Sequence, residues 1–133
     1  MENTMKKLKI LLWVVGVIQL VLGIAYLFFP AAFVAWMDLS AVPADTHYAF
    51  GMLAARFIAY GLGMFYVARN PERNVFWIKN MILIQLIDLS VGIFYTATGI
   101  IPLSASAFPM FNATLISVLL FFWMPKEVPN QEK

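Results

Sequence analysis

Residues 10–29 read ILLWVVGVIQLVLGIAYLFF, a run with one amide (Gln19), no charge, and Pro30 as its stop. A helix of that length rises about 30 Å at 1.5 Å per residue, the hydrocarbon thickness of a bilayer. Three more runs repeat the pattern. One covers about 48–68 and halts at Arg69-Asn70-Pro71. The next covers 75–101, interrupted by Lys79 and Asp88 and closed by Pro102; the last covers 107–124, before Pro125. Hydrocarbon supplies no hydrogen-bond partners, so continuous apolar segments of this length must be helical. The expected fold is all-α: a four-transmembrane-helix bundle, one domain over residues 1–133, with helices at about 10–29, 48–68, 75–101 and 107–124.

Composition points the same way. Of 133 residues, 62% are hydrophobic and 12% charged, where a soluble domain carries roughly 25% charged residues. A small water-soluble domain leaves too much of its chain at the surface to hide that excess. Cysteine is absent, which removes disulfides, thiolate ligands and thiol nucleophiles. The first run is longer than the roughly 7–15 apolar residues of a secretory signal, and the loosely signal-like Val42-Pro43-Ala44 lies too far beyond it. It reads as a span.

A net charge of +2 would invite a nucleic-acid reading in a soluble protein, but here the basic residues collect at helix ends. Lys6, Lys7 and Lys9 precede the first run, Arg69 and Arg73 lie between the second and third, and Lys126 and Lys133 follow the fourth. The other two connections contain no Lys or Arg. The positive-inside rule then places both termini and the middle loop in the cytoplasm. In the connection 30–46, Phe33, Trp36 and Met37 surround Asp38, which suits a short helix over 31–38 lying at the outer interface. Asp45 or Thr46 is placed to cap the second helix and Ser104 or Ser106 the fourth, with Pro109 in its first turn.

The chain also matches itself. QLVLGIAY at 19–26 aligns with DLSVGIFY at 88–95, and AFGM at 49–52 with AFPM at 107–110, after which Ala55 meets Ala113. Two parallel-repeat helical hairpins, related by an axis along the membrane normal, are expected. Gly16, Gln19, Gly23 and Tyr26 share one face of the first helix, and Gln85, Asp88, Gly92, Tyr95 and Gly99 one face of the third. Gly51, Ala55, Ala59 and Gly63 recur at every fourth position of the second helix, a ridge that lets a neighbouring backbone approach closely.

Two charges fall deep in these spans. Arg56 lies about 12 Å and Asp88 about 16 Å from the outer ends of their runs at 1.5 Å per residue. An unpaired charge at that depth costs several kcal/mol, and pairing relieves much of it. An Arg56–Asp88 pair facing the bundle core is therefore expected. Gln19 and Gln85 near mid-membrane, Asn112 in the outer half, Tyr60 one turn from Arg56, and His47 at the outer mouth complete a candidate polar core. Such a core either fixes helix register or serves a proton, a cation, or an anionic or quinone-like ligand. Lys79 lies a turn from the end of its span and should snorkel.

No metal or cofactor is expected. His47 is the only histidine, which rules out two-histidine haem ligation and His-rich metal sites. A single membrane carboxylate rules out a di-iron bundle centre. Met52, Met64, Met81 and Met110 read as gap fillers rather than copper ligands. No phosphate loop or Ser/His/Asp arrangement is present, so no catalytic residue is assigned.

The hairpin repeat, Ala54-Ala55-Arg56 and Gly61-Leu62-Gly63 resemble small bacterial four-helix membrane proteins of the DoxX-like kind over most of the helical region. The resemblance implies a bundle in a bacterial cytoplasmic membrane, in a group whose members often associate with redox enzymes. It transfers no functional residue, and a thiol-linked role does not apply to a chain without cysteine. The expected role is a non-catalytic membrane subunit or scaffold, partnered by the lipid bilayer and by other membrane subunits or itself, and not by nucleic acid. The alternative is a small transporter or a membrane-embedded binder of a small molecule, lipid or quinone, built on Arg56, Asp88, Gln85 and Gln19.

Overall fold

Each apolar run forms one long helix in the computed structural model, which describes residues 1–128. Lys133, counted above with the basic tail, lies outside the described residues. Helix α1 is Glu2–Phe28, α2 Pro30–Trp36, α3 Thr46–Arg69, α4 Val75–Ala97 and α5 Leu103–Trp123, with a 3-10 turn at Pro71–Arg73. The fold is all-helical, and α1, α3, α4 and α5 are each long and apolar enough to cross a membrane. The short helix expected over 31–38 is α2.

Several boundaries move, each for a local reason. The first helix begins at Glu2 rather than 10, because Lys6, Lys7 and Lys9 are good helix formers that extend it beyond its apolar stretch. The end of α4 is Ala97, not 101, because Gly99 takes φ 74°. Its N–H donates to the Thr96 carbonyl at 3.1 Å and that of Ile100 to the Tyr95 carbonyl at 3.0 Å, the Schellman pattern that ends a helix. Asp38, at φ 60°, ends α2 the same way, with Leu39 N–H donating to the Val34 carbonyl at 3.1 Å. Helix α5 starts four residues early, so Pro102 takes the cap position expected for Ser104 or Ser106. Pro109 then falls in the second turn, where its missing N–H leaves the Ala105 carbonyl without its helical donor. Asp45 occupies the cap of α3 without a side-chain bond.

The helices pair as two antiparallel hairpins. In the first, α1 and α3 approach closely enough that a Cβ on Gly61 would stand 2.9 Å from the Gly16 carbonyl oxygen. Gly23 lies against Ala54 and Ile58, and Trp13 stacks on Phe65 with centroids 4.4 Å apart. In the second, Gly92 packs on Met110, and Thr96 Oγ1 donates to Ser106 Oγ at 2.6 Å. The hairpins join where α1 meets α5, whereas α3 and α4 share no extended contact.

All four long helices contribute to one core, which includes Leu8, Leu12, Met64, Ile78, Met81 and Leu120. This core lies toward the end bearing Lys6, Lys7, Lys9, Arg69 and Arg73, called the basic end below. The opposite end carries Asp38 and Asp45 without Lys or Arg and is called the acidic end. Around the outside, Phe121, Phe122, Phe94, Ile87 and Leu83 are exposed, an apolar surface suited to hydrocarbon rather than water.

Candidate functional site

The polar side chains of the long helices fall into an interior group and an open face. Gln85, a turn beyond the core residue Met81 on α4, is 3% exposed and donates Nε2 to Met81 Sδ at 3.4 Å. Gln19, a turn beyond Val15 on α1, is 4% exposed. Among the described residues no side-chain hydrogen bond joins its amide, yet neither of its polar atoms is sealed off. The amide is therefore not fully enclosed.

Two turns beyond Gln19 on the same face, Tyr26 is held by three rings. Phe33 of α2 meets it edge-on at 4.7 Å, Phe57 of α3 lies parallel at 5.8 Å, and Phe50 sits 5.3 Å away. Asp88 of α4 is exposed.

The expected Arg56–Asp88 pair does not form. Arg56 is exposed and donates Nη1 to the Met52 carbonyl of its own helix at 2.8 Å. The one ion pair among the described residues is Lys79–Glu127, at 3.6 Å on the surface. Hairpin pairing explains the miss, because α3 docks on α1 and α4 on α5, leaving α3 and α4 to touch only toward the basic end. There Asn80 Nδ2 donates to Tyr60 Oη at 3.1 Å, and Trp77 meets the Tyr60 ring edge-on at 6.5 Å. Asp88, farther toward the acidic end, is exposed on α4 and joins no ion pair among the described residues.

The small-residue ridge is not what joins α3 to α1. That contact uses Ala54, Ile58, Gly61 and Phe65, on a different face of the helix. Ala55 and Ala59 are exposed, and a Cβ added at Gly51 or Gly63 would meet nothing within 4 Å. Beside the ridge, between α3 and α4, runs a groove of about 440 Å³ lined by Ala59, Tyr60, Gly63, Met64, Tyr66, Val67 and Trp77.

His47 and Asn112 are not gathered with the rest. His47 lines a separate hollow of about 320 Å³ with Val34, Ala35 and Leu39, and lies parallel to Phe50 at 6.3 Å. Asn112 is half-buried on α5. One residue outside the expected core proves bonded to it, Asn80, whose Nδ2 donates to Tyr60 Oη; Asp38 instead ties its connection to the start of α5, its Oδ2 accepting from Ser104 Oγ at 3.3 Å. Tyr26, placed on the face of Gln19 by its spacing of seven, is not counted in that expected core. Asn80 and Asp38 gave no such signal, since their partners are distant in the chain.

Among the described residues no three His, Asp or Glu side chains gather as a metal site would require. No family model matches the chain, and no curated protein and no solved structure matches it either.

Proposed function

We propose that this chain is a non-catalytic integral membrane subunit that docks on other membrane helices through the uncovered face of α3. One observation carries the reading: Arg56 and the Ala55-Ala59-Gly63 ridge lie together where nothing among the described residues covers them. An arginine far from either helix end is costly in lipid and is retained where something partners it. Small residues permit close backbone approach, the main source of helix affinity in a membrane. Both features are satisfied by a second helix laid along α3.

The reading includes a bacterial cytoplasmic membrane with both termini cytoplasmic, supported by the basic end. It also includes descent of the two hairpins from one. In support, the matched glycines Gly23 and Gly92 each sit against the second helix of their own hairpin. Membership of the DoxX-like group, and with it association with a redox enzyme, rests on the sequence resemblance. Purification in mild detergent followed by mass spectrometry tests the docking. Stoichiometric association is expected for the wild type and is lost on Gly63→Leu; a chain that purifies alone as a monomer overturns it.

A second reading, a membrane-embedded binder or small transporter, is favoured by the buried, unbonded amide of Gln19 two turns from Tyr26. It predicts that Asp88→Asn abolishes function while insertion and assembly persist.

A further inference from the structure

We infer that the partner on this face is a second copy of the same chain, held by two reciprocal Arg56–Asp88 pairs across a two-fold axis along the membrane normal. The inference rests on the docking face proposed above and names its occupant.

Both charges border the same open side of the molecule. Met52, Arg56, Ala59, Gly63 and Tyr66 follow at helical spacings of three and four and so form one row on α3, and three of them line the groove. Trp77 lines the groove from α4. Asp88 is eleven residues farther, about three full turns, which returns it to the same side. Tyr66 and Trp77 are 66% and 45% exposed there, large rings of the kind that fill interfaces.

The two charges are also level. The Tyr60–Asn80 bond marks one depth on both helices. The Met52 carbonyl that holds the Arg56 guanidinium lies eight residues from Tyr60 toward the acidic end, and Asp88 lies eight residues from Asn80 in the same direction. Each step is about 12 Å at 1.5 Å per residue. A two-fold axis along the membrane normal preserves depth, and it sets α3 of one copy opposite α4 of the other. The face is self-complementary in the sense an isologous dimer requires. One cation and one anion, apart within the chain, are each neutralised across the axis. An unrelated partner would have to supply both charges at this same level.

The test uses the full chain, fluorescently labelled and diluted in lipid vesicles, with dimerisation read by energy transfer. Wild type should dimerise. Arg56→Asp alone and Asp88→Arg alone should each weaken dimerisation about ten-fold or more, given the coupling of close charge pairs across interfaces. Mixing the two variant chains should restore it, since in the mixed dimer both cross-pairs again join opposite charges. Helical circular dichroism and insertion of each variant guard against misfolding, and the mixture gives a gain that misfolding cannot mimic. A monomeric wild type, or a mixture no tighter than either variant alone, overturns the inference. If the wild type then binds a different membrane subunit stoichiometrically, the docking reading survives without this partner; if it associates with nothing, both fail.

Discussion

Gly61 and Gly63 are two positions apart and stand in opposite circumstances. A Cβ on Gly61 would meet the Gly16 carbonyl oxygen and Leu20 Cγ, both at 2.9 Å. Backbone cannot yield as the tip of a side chain can, so Gly61→Ala should force α1 and α3 apart. The expected loss is about 1–3 kcal/mol, the usual range for overpacking, read as a lower unfolding midpoint in detergent by circular dichroism. Gly63→Ala meets open space and should gain up to about 1 kcal/mol of helix propensity. Stability of the single chain should hold or rise while self-association weakens, a split visible by running both assays on one variant. Arg56 belongs to the same scale. Its guanidinium turns to the Met52 carbonyl, and no carboxylate among the described residues pairs with it.

The helices are set by their stops as much as by their apolar runs. Gly99 ends α4 in the left-handed region that a β-branched side chain resists. Gly99→Val should cost about 1–2 kcal/mol, the penalty of that conformation for an L-residue, measured by denaturant titration. Asp38 ends α2 in the same region and also accepts from Ser104, tying the connection to the start of α5. Asp38→Asn should be tolerated, Asp38→Gly should lose only the Ser104 link, and Asp38→Val should lose both link and turn, giving the lowest stability of the three. The unexpected start of α5 has the same kind of cause. Extended backbone at Pro102 lets Leu103 begin the helix before either serine.

At the scale of the molecule, the proposed orientation can be read directly because the chain has no cysteine of its own. A single cysteine introduced by Ser40→Cys should react with a membrane-impermeant maleimide in intact cells, and one introduced by Glu72→Cys only after lysis. The reverse pattern would invert the topology.

Four spanning-length helices could be read from the sequence because lipid forces each apolar run to satisfy its own backbone, a condition met one segment at a time. Two of the residues that prove closest, Gly16 and Gly23, were visible as small groups on one helical face, but Gly61 was not among the ridge read on its helix. Which faces meet was not visible. Helical spacing presents Ala54 with Gly61, and Ala55 with Gly63, as equally smooth surfaces; only the docking of α1 showed that the first pair is covered and the second open. For the same reason Arg56 and Asp88 were legible as deep charges at similar depth, but not as charges held apart. Depth follows from counting along one helix, whereas lateral distance depends on how the two hairpins pack, with α1 joined to α5 and α3 sharing no extended contact with α4.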